Sequence, residues 1–572
     1  MDWQRTAYIG GMLVISLVLL FRWNEFQDQR QALRAENAPS TISVEIPAPV
    51  STESPTIPET AKDEISSPDL AIAPSPENSA IPSVNNTRNT GKANTNEQLI
   101  SVTTDTLDIL IDRYGGDIVK VVLPQYKVTL DGEQGFKLLD RTPVTTYIAQ
   151  SGLVGANGTD TAEGRPSFSA AQSSYTLEEG EDELVVELQF VQNDVNIIKH
   201  FHFERNSYLI KIHYIIDNQS ASTWQGNVYG QIKRDSHQPP AAADSGFGVN
   251  PYVGAATSTN EENYKKLGFD DLADKTHEFS RQGGWVAMVQ HYFTGAWIPS
   301  QEDTNGFFLR KLSSKDMYLM GFIGPQKTIS AGSQGEFKAQ FYVGPKDIDR
   351  LEDIAEHLDL TIDFGLLWWI AKPLFHLLDF LHSYIGNWGW SIIALTIIIK
   401  AIFFYPSALS YKSMAKMRKV SPKMQEIKDR FGDDRQKMSQ EMMKLYKTEK
   451  VNPMGGCLPI LIQMPVFIAL YWVLMESVEI RHAPFILWIS DLSVMDPYFI
   501  LPLLMGATMF IQQKLNPTPP DPMQAKIMQW MPVAFTFLFL WFPAGLVVYW
   551  VTNNTLSIIQ QYIITRKIEA EP

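Results

Sequence analysis

Residues 527–564 read "IMQWMPVAFTFLFLWFPAGLVVYWVTNNTLSIIQQYII", and this stretch decides the fold class. Two apolar runs, 527–542 and 546–564, are split by the helix-breaking "FPAG". At about 1.5 Å of rise per residue, each is long enough, or nearly so, to cross a bilayer. The second run is not uniformly apolar. It carries Thr552, Asn553, Asn554, Thr555, Ser557, Gln560 and Gln561. Polar groups in hydrocarbon need partners or water, so this face demands an explanation.

Other apolar runs lie at 388–407, 457–475 and 498–512, and a short one at the N-terminus spans 7–21. Trp3 and Trp23 flank the N-terminal run as interfacial anchors do. Arg22, Trp23 and Asn24 follow it where a cleavable signal would place small residues, so residues 1–24 are expected to be a retained signal anchor. Six spans result, and the chain reads as a polytopic α-helical membrane protein.

Charge orients the spans. Residues 408–453 hold twelve Lys/Arg against six acids, whereas 476–497 hold four acids and one arginine. Positive loops stay in the cytoplasm. The expectation is therefore a cytoplasmic 408–453, an outer 476–497, and both termini inside.

Between the first span and the rest lies a long polar region. Residues 25–98 are rich in Pro, Ser, Thr and Asn, and such a composition cannot offset its ordering entropy. It reads as a disordered tether. Residues 99–345 switch to alternating segments such as "LVVELQFV" (184–191), "IIKHFHFE" (197–204) and "YLIKIHYII" (208–216). This is strand periodicity, and it implies a mostly β domain, a large sandwich on the outer side. Within "GGWVAMVQHYFTGAWIP" (283–299), Trp285, His291 and Trp297 are either ordinary core and turn residues or the lining of a ligand cleft. Residues 346–387 form a connector whose segment 366–386 suits an amphipathic interfacial helix. Its His376 and His382 fit a polar face better than a metal site.

The 408–453 loop is expected to fold as a basic helical hairpin, broken at Gly432 and capped by Asp433 or Asp434. Met414, Met417, Met438 and Met442 fall on its apolar stripes. They either close the hairpin on itself or offer an adaptable contact surface.

The chain has 572 residues, a formal net charge of −15 and one cysteine, Cys457, so an internal disulfide is excluded. No CxxC, HExxH, P-loop or GxSxG pattern is present. No cofactor, metal or enzymatic chemistry is expected.

"LTIIIKAIFFYP" (395–406) places Lys400 inside an apolar helix, four residues after Thr396 and on the same face. The spans hold no acid well inside to pair with it, and Glu476 sits at an outer end. Three readings stand open: snorkelling toward the inner interface, an interhelical hydrogen bond, or a hydrated cavity lined by the amides of neighbouring spans such as Gln463.

"KVNPMGGCLPILIQMPVFIALY" (450–471), "DPMQAKIMQWMPVAFTFLFLWFPAGLVVYW" (521–550), "SMAKMRKVSPKMQEIKDRFGDD" (413–434) and, in the outer domain, "HLDLTIDFG" closely resemble the YidC/Oxa1/Alb3 membrane protein insertases, of the Gram-negative type with a periplasmic domain. The resemblance covers nearly all of the chain except the tether. It implies an inner-membrane insertase and chaperone. Five core helices (388–572) would enclose a hydrophilic groove, with a β-supersandwich periplasmic domain alongside. The implied groove residues are Lys400, Thr396, Gln463, Tyr549, Trp550 and Asn553, and the implied greasy slide includes Phe467 and Met464. Relatives mostly carry arginine where this chain has Lys400, which keeps the charge and loses the bidentate fork. The implied partners are nascent inner-membrane proteins, the Sec translocon, transiently the ribosome, and the bilayer, with no small-molecule substrate. A secondary transporter would show internal repeats or intramembrane acids, and none is visible. A membrane-anchored carbohydrate-binding protein would act through the β domain instead.

Overall fold

The computed structural model describes residues 98–237, 251–259, 261–312, 316–431, 434–449, 451, 458–516 and 522–570. The expected N-terminal anchor, nearly all of the tether, Cys457 and the Gly432–Asp433 break lie outside the described residues.

From Leu99 to Pro345 the chain is built of strands, arranged among the described residues as an eleven-stranded and a nine-stranded sheet. In the nine-stranded sheet Leu209–Asn218 runs antiparallel between Val195–Glu204 and Ser333–Pro345. Alternation of buried and partly exposed residues along Val195–Glu204 and Leu209–Asn218 is the period that the sequence displays. The two sheets pack face to face. Trp297 of one lies 6.1 Å from Phe322 of the other, ring centre to ring centre. Ser151 Oγ meets Tyr214 Oη at 3.1 Å across the same interface. A fully buried lysine, Lys199, crosses it too, donating to the carbonyls of Gly115 (3.2 Å), Gly116 (2.8 Å) and Ser151 (3.3 Å).

The short helices α1 (Phe269–Asp274) and α2 (Ile348–Ile354) belong to this part of the chain. The helical body follows as α3 (Trp368–Ile385), α4 (Trp388–Ile402), α5 (Phe404–Phe431), α6 (Arg435–Thr448), α7 (Leu458–Glu476), α8 (Ile500–Leu515), α9 (Pro522–Leu538) and α10 (Ala544–Ala570). In α3, Ala371, Phe375 and Leu378 are buried, while Trp368, Trp369, Phe380 and Tyr384 are exposed. Its Lys372 is held by Glu352 and by Asp359 at 2.9 Å, and His382 stacks on Trp388 at 3.9 Å. Asn387 caps α4 by accepting from Trp390 N.

The run 388–407 is not one helix. It breaks after Ile402 and bends by 68° into α5. Pro406 explains the position: it lacks the N–H that would bond the Ile402 carbonyl, and its ring crowds that carbonyl. No single described helix is long and apolar enough to cross a membrane by itself. The bent α4–α5 pair passes that test jointly, and Ile462–Glu476 and Ala525–Trp541 are shorter apolar helices. In α10, the amides and hydroxyls of 552–561 lower the apolarity of a helix that is otherwise long enough.

Helices α5 and α6 form the hairpin that the sequence suggests, with Asp434 capping α6 through Lys437 N at 3.1 Å. Its seam contains Val420, Met424, Met442 and Val451, with Met417, Met438 and Leu445 packed against them. Met414 is buried as well. The structure therefore turns these methionines largely inward.

Candidate polar cluster of the helical body

Lys400 lies in the last turn of α4 with only 9% of its surface exposed. Its ammonium does not lean out of the helical body. Nζ donates to Ser557 Oγ on α10 at 2.7 Å and to Gln463 Oε1 on α7 at 3.3 Å. Of the three readings left open, the geometry is that of an interhelical hydrogen bond. Gln463 then passes the network on, donating to Asn553 Oδ1 (2.7 Å) and Tyr549 Oη (2.9 Å). Tyr549, Asn553 and Ser557 recur every four residues, so a single face of α10 meets both α4 and α7. Among the described residues no carboxylate reaches Lys400. The positive charge is held by neutral dipoles alone.

Thr396 is fully buried on the same face of α4, but its hydroxyl donates to its own helix, to Ile392 O at 2.7 Å. Not every polar residue of α10 joins the cluster. Asn554 donates to Thr508 on α8 at 3.2 Å, and Gln561 donates to Leu515 O and Asn516 Oδ1 (2.9 Å). These groups fasten α10 to α8, on a different face.

Beside the cluster lies an aromatic group. Phe467 meets Trp550 edge-on at 4.6 Å, and Phe539 and Phe535 close around the same indole. Met464 stays exposed. The sequence reading left Ser557 out of the site, although it gives Nζ its shortest bond. Its spacing of four from Asn553 and eight from Tyr549 is the signal that would have found it.

Of the two readings of Trp285, His291 and Trp297, their contacts fit that of core and packing residues. Trp285 Nε1 donates to Glu356 O, Trp297 is buried between the sheets, and His291 Nε2 donates to Met475 O at the end of α7. Each serves a separate packing contact. Glu476, read as a residue at an outer end, is the last residue of α7, where it is buried and paired with Lys346 at 2.8 Å.

The family model described as the YidC periplasmic domain matches residues 99–377, and that described as the 60Kd inner membrane protein matches residues 380–571. A protein of Cellvibrio japonicus (strain Ueda107), named a membrane protein insertase YidC, is 54% identical over 570 residues, covering 100% of this chain and 99% of its own length. One of the same name from Saccharophagus degradans is 52% identical over 571 residues and covers 100% of both chains. A solved structure of an active YidC insertase, with its first transmembrane domain resolved, is 18% identical with a TM-score of 0.37, covering 81% of this chain and 92% of its own. A β-sandwich joined to a helical body with a charged polar cluster is thus found in a chain whose whole length is shared with these relatives, and the chain belongs to the YidC family of membrane protein insertases.

Proposed function

We propose that the protein inserts membrane proteins into the bacterial inner membrane and helps them fold, alone or with the Sec translocon, and makes or breaks no covalent bond in doing so. The observation that carries this reading is an ammonium, Lys400, held by the Gln463 amide and the Ser557 hydroxyl of two other helices, with no carboxylate on it among the described residues. Such a charge attracts an acidic segment instead of being neutralised at home. In this reading six segments span the membrane: the N-terminal anchor, the bent α4 region, α7, α8, α9 and α10. The last five surround a polar groove. The basic hairpin and both termini face the cytoplasm, where the ribosome is a transient partner, and the β domain faces the periplasm.

The energetics set the division of labour. Each Leu, Ile, Phe or Val of a client helix favours insertion by about 0.3–0.6 kcal/mol, and an acidic residue at mid-membrane opposes it by about 2.5–3.5 kcal/mol. The client's apolar segment, sliding along Phe467, Met464 and Trp550, supplies the drive. Lys400, Gln463, Asn553 and Tyr549 need only lower the transient cost of its polar tail.

The test is insertion of a single-span client with an acidic outer tail by Lys400→Arg, Lys400→Ala and Lys400→Glu variants. Lys400→Arg is expected to retain activity. Lys400→Glu is expected to lose roughly tenfold or more, because one charge-assisted hydrogen bond is worth about 1.5–3 kcal/mol. Parental insertion by Lys400→Glu would remove charge attraction from the mechanism. Crosslinking from positions 396, 463 and 549 to a ribosome-stalled client maps the path directly.

A further inference from the structure

Ser557 sits where α10 meets α4. Its Oγ donates to Asn553 O within α10 at 2.7 Å and accepts from Lys400 Nζ of α4 at 2.7 Å. A serine hydroxyl has a single proton, so with that proton on Asn553 O this oxygen faces Lys400 as an acceptor. Ser557 is 3% exposed. An ammonium has three protons, and the other bond on Nζ, to Gln463 at 3.3 Å, is long. Ser557 is therefore the principal holder of the charge.

We propose that Ser557 is a specificity-determining residue, a neutral latch that an incoming carboxylate must displace from Lys400. The inference rests on the insertase reading above and deepens it. A hydroxyl and a carboxylate compete for the same ammonium protons; the ammonium assists both bonds, and only the carboxylate adds an opposite charge to its own. Acidic tails therefore take Nζ from Ser557, while neutral polar tails do not. The latch sets how acidic a client must be before the charge is released to it. Gln463 takes part more weakly, because its Oε1 stands farther from Nζ, at 3.3 Å.

The experiment compares two clients that differ only in the outer tail, one with aspartates and one with asparagines, and reads the ratio of their insertion by the full-length protein. Ser557→Ala removes the competitor, and the acidic-to-neutral ratio is expected to rise roughly two- to tenfold, the worth of one net hydrogen bond. Ser557→Thr keeps the hydroxyl and is expected to restore the parental ratio. Adding Lys400→Met to Ser557→Ala is expected to bring the ratio to about that of Lys400→Met alone. A merely structural hub lowers both clients together and leaves the ratio where it was, which would overturn the latch. A falling ratio would also overturn it, since the hydroxyl would then be presenting the ammonium instead of withholding it. If Lys400→Met by itself leaves the parental ratio intact, the charge-attraction reading fails first. If that ratio collapses but Ser557→Ala does nothing to it, only the latch fails.

Discussion

Lys199, Lys346 and Lys400 are all buried, and each is satisfied by different chemistry. Lys199 donates to three backbone carbonyls, Lys346 pairs with the Glu476 carboxylate, and Lys400 meets a hydroxyl and an amide. The Lys346–Glu476 pair joins groups that are 2% and 4% exposed, a regime in which desolvation rivals the attraction between the charges. Lys346→Met is therefore expected to destabilise the folded protein by about 3–5 kcal/mol by orphaning Glu476, while Lys346→Met with Glu476→Leu recovers most of the loss. Denaturant titration of the detergent-solubilised chain reads the difference; additive single and double losses would argue against a coupled pair. Lys400 was legible in the sequence because a charge stands out in "LTIIIKAIFFYP". Lys346 was not, since its partner lies 130 residues away and local spacing carries no record of so distant a contact. For the same reason the amides of α10 were legible as a polar face, while the assignment of Asn553 to α7 and of Asn554 to α8 needed the packed helices.

At the scale of elements, periodicity transferred well where one face alone is buried. Val195–Glu204 and Leu209–Asn218 appear nearly as the alternation drew them. It transferred poorly where a helix is apolar all round, because nothing in such a run marks where the axis turns. The break after Ile402 rests on one proline, and Pro406→Ala is expected to reduce the 68° bend between α4 and α5. A shortened distance between spin labels placed on α4 and α5, or an unchanged one, would speak against it, since straightening moves the labels apart. The α5–α6 hairpin offers a sharper comparison between neighbours. Met442 lies in its seam and Met443 is 51% exposed. Met442→Lys puts an unpaired charge among Val420, Met424 and Val451 and is expected to cost about 2–4 kcal/mol of hairpin stability. Met443→Lys is expected to cost less than about 0.5 kcal/mol, as surface changes do. Limited proteolysis between α5 and α6 distinguishes them, and equal cleavage of both variants would mean that the seam does not hold the hairpin.

At the scale of the whole molecule, the β-sandwich meets the helical body through a set of polar contacts around the end of α7. His291 donates to Met475 O at 2.7 Å, Lys346 pairs with Glu476, and Arg481 donates to Lys127 O at 2.6 Å with its guanidinium about 6 Å from the rings of Phe136, Tyr292 and Phe293. The segment that follows α7 is also tied to the start of α10, where Ala544 N donates to Val494 O at 2.7 Å. Two of the junction's titratable groups, His291 and Glu479, act in opposite directions. Burial, with Lys346 and Arg481 adding repulsion, pushes the His291 imidazole down to about 3, although its bond to Met475 opposes the shift. Burial lifts the Glu479 carboxyl to about 8, with Asp347 and Asp379 nearby adding to the rise. For His291 the unfolded chain, with its ordinary value of 6.5, binds the proton that the folded chain refuses. Stability from this group is therefore full above about 6.5 and is lost as pH falls toward 3. For Glu479 the folded chain keeps a proton that the unfolded chain releases above 4.5, so stability falls as pH rises from there toward 8. Replacing His291 by glutamine keeps an N–H donor for Met475 O and removes the titration. Relative to that variant, the parent is expected to lose about 1–3 kcal/mol between pH 6.5 and pH 4, the upper part of the range being reduced because the ring keeps some exposed surface. Thermal unfolding of both proteins across this window measures the difference, with the Glu479 contribution common to the two and cancelling. Parallel curves for parent and His291→Gln would show that the imidazole takes up its proton in place.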